Sequence, residues 1–311
     1  VTRIRVGLDV GGTKIDAVAV SPEGEIAGRL RRPTGWGEAA VVASIVDAVS
    51  ALAAETGFDL SDVASAGVGI PGLVDADSGR VLHAVNLGVE SLDLAARAGE
   101  RLGVPFRVEN DVKAAALGAA VLSGAEGAMA YLNLGTGVAA GIVVDGRIWR
   151  GSRGIAGEVG HLSVDPNGRL CGCGQRGCIE TFCGGGALAR AWGRPGDLPV
   201  RDLLVAADAG DPDALLLETG LYQGAAAGVR VLVLSADVAR VIIGGGLTAL
   251  GARLEDGIRA ALLAGAEASP FMRSLHLDER IELLPAGSPA AAFGAAMVGA
   301  SIPSKEIVSH G

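Results

Sequence analysis

Three of the four cysteines stand within eight positions, in the run Cys171-Gly172-Cys173-Gly174-Gln175-Arg176-Gly177-Cys178, and Glu180 follows directly. Thiols this close can pair as a disulfide, shuttle electrons or hold a soft metal ion. A reducing compartment and the strain of so small a loop count against a disulfide. Metal is the better reading, because Gly172, Gly174 and Gly177 allow the sharp turns that let Cys171, Cys173 and Cys178 curl round one ion, and thiolate-rich sites favour zinc over Mg²⁺ or Ca²⁺. A tetrahedral site wants a fourth ligand. Cys183 and His161 are both within reach in sequence, and spacing alone does not choose between them.

A second kind of chemistry is written twice. Leu8-Asp9-Val10-Gly11-Gly12-Thr13-Lys14-Ile15 reads as a strand, a tight turn and a second strand, and Leu132-Asn133-Leu134-Gly135-Thr136-Gly137-Val138 repeats the plan. A turn rich in Gly and Thr presents backbone N–H groups and a hydroxyl, which is what an anionic phosphate needs where no helix terminus is offered. Either turn alone is more often an ordinary hairpin. The pair, each preceded by a polar residue on an apolar strand, points to a polyphosphate gripped by two loops of a duplicated fold.

Polar residues at other strand ends are candidates too. Asp111 follows the strand Phe106 to Val108 and opens a helix, so it is either an N-cap or a group presented to a ligand. Glu158 and His161 stand three apart beside Gly157 and Gly160, close enough on one helical turn to meet one ligand, or else form an exposed charged pair. Glu180 is either a surface acid or a carboxylate aimed by the cysteine run. Gly244, Gly245 and Gly246 mark a plain strand exit or a place where a base and ribose approach the backbone.

The elements that carry these residues alternate between α and β. Residues 38–57 have helical apolar spacing ending at a glycine, and 64–72 are a strand ending at Pro71-Gly72. Residues 91–103 are a capped helix, and 104–111 a strand with polar residues at its end. Residues 112–124 are Ala-rich and helical and begin a passage between lobes. Leu215 to Leu234 is a long apolar helix. Residues 239–247 form a strand with a glycine-rich exit, 248–265 a helix, 281–287 a strand, and 289–300 a closing helix. With 311 residues, half of them hydrophobic, two lobes are expected. The formal charge of −9 argues against nucleic acid or an anionic membrane as main partner. The apolar runs look too short to span a bilayer, and a soluble cytoplasmic protein is expected.

Taken together, "LDVGGTKI", "GVGIPGLVD", "VENDVKAAALGA", "LNLGTGVAAGIV", "GEVGH", "CGCGQRGCIE", "VIIGGGL" and "FGAA" resemble, in order and over nearly the whole chain, the ROK family (repressor, open reading frame, kinase). The resemblance implies the two-lobed actin-like ATPase fold, a duplicated RNase H-like α/β architecture, and a dimer or tetramer. It divides the chain into a small lobe of residues 1–113, completed by the closing segment 289–311, and a large lobe of 114–288 with the knuckle and nucleotide-binding elements. With Asp9 so near the start of the sequence, the likeness is to the sugar-kinase branch rather than to repressors with an amino-terminal DNA-binding module. The implied reaction moves the ATP γ-phosphate to the 6-hydroxyl of a hexose, glucose first and N-acetylglucosamine or N-acetylmannosamine second. A non-catalytic sugar sensor is the rival from another class.

Residue by residue, the resemblance gives Asp9, Gly11, Gly12, Thr13 and Lys14 to a first phosphate loop, with Asp9 facing Mg²⁺. It gives Gly135, Thr136 and Gly137 to a second phosphate loop, and Gly244, Gly245 and Gly246 to the border of adenosine. Asn110 and Asp111 hold sugar hydroxyls, with Asp111 as base, and Glu158, His161 and Glu180 bind the opposite sugar edge. It makes His161 the fourth ligand of a structural zinc with Cys171, Cys173 and Cys178, leaving Cys183 outside. Ala139 and Ala140, Val112 and Lys113, Val89, and the stretch Phe182 to Leu188 depart from the usual pattern and leave sugar choice less defined than the phosphate chemistry.

Overall fold

The computed structural model describes residues 3–300, and residues 301–311 of the expected closing segment lie outside them. The chain divides into two compact units, one of Val1–Gly124, Gly146–Gly154 and Pro289–Gly311, the other of Ala125–Asp145 and Ile155–Ser288.

The first unit is built from β1 (Ile4–Val10), β2 (Lys14–Val20), β3 (Ile26–Pro33), α1 (Glu38–Thr56), β4 (Val63–Ile70), β5 (Leu73–Asp75), β6 (Arg80–Ala84), β7 (Val89–Asp93), α2 (Leu94–Leu102), β8 (Phe106–Asn110) and α3 (Asp111–Leu122). Its main sheet runs β3-β2-β1-β4-β8. β1 pairs antiparallel with β2, while β1, β4 and β8 are parallel. β5, β6 and β7 form a small separate sheet, which the spacing of their few apolar residues did not announce.

β4 is buried almost end to end, as a central parallel strand covered on both faces must be. In β1, Ile4, Val6, Leu8 and Val10 are buried while Arg5 and Asp9 on the other face are half-buried. α1 ends at Gly57, whose φ of 81° is the left-handed cap that favours glycine. By length and composition α1 is apolar enough to cross a membrane, contrary to the expectation that no segment is. It instead lays Val41, Val42, Ile45, Val49 and Leu52 into the core of this unit.

The second unit contains β9 (Ala128–Leu134) and β10 (Val138–Val144). After a two-residue strand β11 (Arg147–Ile148) in the first unit's segment come α4 (Ile179–Cys183), α5 (Gly185–Trp192), α6 (Pro199–Asp208), α7 (Pro212–Ala236), β12 (Arg240–Gly244), α8 (Ala252–Ala266), α9 (Pro270–Ser274) and β13 (Ile281–Leu283). β10, β9, β12 and β13 lie side by side in that order, the first pair antiparallel and the rest parallel, which repeats the plan of the first sheet. α7 starts three residues before the expected Leu215, because Asp211 caps it through the amides of Asp213 and Ala214 and Pro212 fits the first helical position.

The chain closes with α10 (Ala290–Ala300) back in the first unit. Gly7 and Gly67 on the sheet meet the α10 backbone at Ala292 and Ala295, and Gly118 of α3 meets Ala290 while Gly294 meets Ala114. A Cβ at any of these glycines would overlap backbone, so the helices approach only because the residues are small. This seam explains why α3 lies wholly in the first unit, with the chain crossing at Gly124 rather than near residue 113.

Candidate active site

In the first unit, Asp9 is the sixth of seven residues in β1 and lies opposite Asp16 on β2. The turn behind it is closed by a hydrogen bond from the Gly11 amide to the Lys14 carbonyl at 2.9 Å. Gly12 sits against the carbonyl of Asn86, leaving no room for a side chain, and Thr13 and Lys14 are exposed. Lys14 reaches Asp16 at 3.8 Å, and Arg31 pairs with the same carboxylate at 2.7 Å. Burial, then the nearby charges of Asp111 and Asp16, push the Asp9 carboxyl up to about 7 against the opposing pull of Lys14. A carboxylate in so negative a field suits a divalent cation with phosphate partners, the donor set Mg²⁺ takes.

Asp111 opens α3 at the carboxyl end of β8, beside the carboxyl ends of β4 and β1. Crevices outside such strand ends are where open α/β sheets hold ligands. The N-cap is Asn110, not Asp111: the Asn110 side chain accepts from the amides of Val112 at 3.1 Å and Lys113 at 3.3 Å. Asp111 is the first helical residue, and its Oδ1 accepts from the Val112 amide at 2.9 Å.

Two supports here escaped the sequence reading. Glu109, 3% exposed, receives Arg150 through Nε at 2.7 Å and Nη2 at 2.6 Å, and accepts from the Asn110 amide at 2.9 Å. Buried Lys113 donates from Nζ to the carbonyl of Gly154 at 2.7 Å. Both tie the segment Gly146–Gly154 to the residues on either side of Asp111. Lys113 stood out as a departure from the family pattern, which was the available signal; Glu109 and Arg150 lie forty-one positions apart and carried none.

In the second unit, Asn133 is the sixth of seven residues in β9, the place Asp9 has in β1, and the Gly135-Thr136-Gly137 turn follows with Thr136 exposed. Gly244 packs on the Tyr131 ring, and a Cβ on Gly245, whose φ is +90°, would lie 2.7 Å from Asn133 Oδ1. Both are therefore glycine for close approach to β9. Gly246 alone of the three faces open space.

His161 ends a short 3-10 turn, Val159–His161, with exposed Glu158 at its N-cap position. The ligand atoms of His161, Cys171, Cys173 and Cys178 lie within 4.8 Å of one another. The Cys171 Sγ to His161 Nδ1 distance is 3.7 Å, and that between the Cys173 and Cys178 sulfurs is 3.6 Å. Zinc–sulfur bonds of about 2.3 Å in a tetrahedron put ligands roughly 3.8 Å apart, so the four fit zinc and the sulfurs are far from bonded to each other. Hydrogen bonding from Gln175 draws the Cys173 thiol down to about 6, while burial pushes Cys178 up to about 12. Cys183 is fully buried on α4, donates to the Ile179 carbonyl at 3.4 Å and is pushed up further still by burial, as an inert core thiol is. Glu180, in the first turn of α4, accepts the Val138 amide on Oε2 at 2.9 Å.

The ROK family model matches residues 5–299. The chain belongs to the ROK family. This ROK chain is 33% identical over 267 residues to the glucokinase of Halalkalibacterium halodurans, covering 79% of this chain and 81% of that one. Among solved structures, the ROK hexokinase from Thermus thermophilus superposes with a TM-score of 0.78 at 32% identity over 96% of this chain and 98% of that one. A ROK family glucokinase from Streptomyces griseus, in complex with glucose and AMPPNP, gives 0.76 at 31% over 96% and 99%. The ROK chain thus has the duplicated α/β architecture of the actin-like ATPase fold, and the four ligand atoms of His161, Cys171, Cys173 and Cys178 are grouped closely enough to hold one metal ion.

Proposed function

We propose that this chain is an ATP-dependent hexose kinase that phosphorylates the 6-hydroxyl of glucose. The observation that carries the reading is the placement of Asp9 and Asp111 at the carboxyl ends of parallel strands, with the cap role assumed by Asn110. It is supported by similarity to a glucokinase that holds glucose and an ATP analogue.

A hexose hydroxyl is a poor nucleophile near neutral pH. Asp111 accepts its proton as bonding to phosphorus develops, and Asn110 orients the neighbouring hydroxyl. Glu158, His161 and Glu180 hold the sugar's other edge. The amides of Gly12, Thr13, Thr136 and Gly137 and the hydroxyls of Thr13 and Thr136 offer hydrogen bonds to the phosphate oxygens, where charge accumulates during transfer. Mg²⁺, when bound, supplies positive charge to those oxygens, and Asp9 is the carboxylate that would hold it. Open Gly246 borders the adenosine, with Gly244 and Gly245 shaping that turn. The zinc is structural, since three thiolates and one imidazole fill a tetrahedral site. We further propose a cytoplasmic homo-oligomer, dimer or tetramer.

A coupled assay following ADP release across a hexose panel tests the reading. Glucose should show the highest kcat/KM. Preference for N-acetylmannosamine or N-acetylglucosamine would move the substrate, and ADP release with no sugar would remove the function.

A further inference from the structure

The loop after the zinc ligands does more than end the knuckle. Glu180 stands two residues beyond Cys178, and its Oε2 accepts the Val138 amide at 2.9 Å. A Cβ on Gly137 would lie 2.6 Å from that same oxygen, so the carboxylate occupies the space glycine leaves. Farther along, the Gly185 amide donates to the Gly135 carbonyl at 2.8 Å and the Gly186 amide to the Thr136 carbonyl at 2.9 Å. Two carbonyls and one amide of a single turn are therefore fixed by α4 and the start of α5. In a trans peptide the carbonyl and the following N–H point opposite ways. Pinning the Gly135 and Thr136 carbonyls toward α5 thus aims the Thr136 and Gly137 amides away from it, as an anion-binding concavity requires.

We propose that Glu180 is a positioning residue of the Gly135–Gly137 turn, so that the zinc knuckle shapes the grip on the nucleotide's phosphates as well as the sugar. This rests on the kinase reading and adds to it a role that a pure sugar ligand would not have. Phe182 to Leu188, which departs from the family pattern, supplies the glycine amides of the frame.

Calorimetric titration of the magnesium complex of AMPPNP, without any sugar, separates the two roles. Glu180→Ala should raise the Kd roughly tenfold, the loss of one charge-assisted hydrogen bond. Glu180→Gln keeps an acceptor oxygen and should return the Kd to within about threefold of the parent. Gly137→Ala should raise it in the parent, by driving the carboxylate off Val138, and add little in the Glu180→Ala background. Zinc content, measured on each protein, should stay unchanged. An AMPPNP Kd within about twofold of the parent in Glu180→Ala, with only the hexose KM raised, overturns the proposal and leaves the kinase reading intact. If Glu180→Ala does not fold, Gly137→Ala carries the test alone, and an unchanged Kd overturns the proposal. A parent with no affinity for AMPPNP overturns both.

Discussion

The side-chain oxygen of Asn110 accepts from the Val112 amide at 3.1 Å, so the helix behind β8 is capped by Asn110 while its neighbour Asp111 occupies the first helical position. The two residues divide the tasks that the sequence assigned to Asp111 as alternatives. Asp111→Asn should keep the fold and most of the hexose affinity while kcat falls by roughly 10²–10⁴, the usual worth of a positioned base. Asn110→Ala should also lower thermal stability, by about 1 kcal/mol for the lost cap. Steady-state kinetics and melting curves on the two variants check this division.

Asp9 makes stability depend on pH. In the folded protein its proton is held up to about 7, against an ordinary value of 3.8, because of burial first and the Asp111 and Asp16 charges second. The folded state therefore binds the extra proton between those values. Its contribution to stability is full below 3.8 and is lost as pH rises through about 7. Asp9→Asn, measured by urea denaturation without magnesium, should gain stability relative to the parent that is largest at pH 8, smaller at pH 5 and near zero below 3.8. Magnesium affinity of the parent should weaken as pH falls through the same value, since the cation must displace the proton. Equal pH slopes in parent and variant would remove Asp9 as the cause.

The zinc cluster predicts which thiol matters. Cys173→Ser and His161→Ala should contain little zinc, while the parent and Cys183→Ser hold about one per chain. Loss of metal should weaken hexose binding through His161 and nucleotide binding through Glu180 and the glycine amides behind it. A Cys183→Ser protein that loses zinc would mean a four-cysteine site.

Arg150→Met leaves the buried Glu109 carboxylate without its cation. With Arg150 itself 39% exposed, the cost should be about 1–3 kcal/mol, smaller than for a fully buried pair. Glu109→Gln combined with Arg150→Met should recover part of it. Additive losses in denaturation midpoints would show that the pair does not act as a unit.

How much of this was open to a reader of the sequence varies with range. The two Gly-Thr turns and the cysteine run are local, and short-range spacing set out their chemistry; the repeated hairpin even foretold the matching sheet plans. The three-stranded sheet of β5 to β7 was missed because its strands are too short for alternation to show. The α3–α10 seam was missed because Gly118 and Gly294 gain meaning only when two helices touch. Glu109–Arg150 and Lys113–Gly154 are contacts across tens of residues, and no periodicity encodes them. The tie from Glu180 to Val138 likewise joins segments forty-two residues apart, so proximity to the knuckle suggested a role for Glu180 without naming its partner.

The central claim is transfer of the ATP γ-phosphate to a hexose 6-oxygen. It is tested most directly by incubating the protein with magnesium, ATP and glucose and identifying the product by phosphorus and carbon NMR. The account predicts hexose 6-phosphate and ADP in equal amounts, with 6-deoxyglucose binding but receiving no phosphate. Phosphate appearing on another carbon, or a protein that binds glucose and ATP together yet forms neither product, would contradict it.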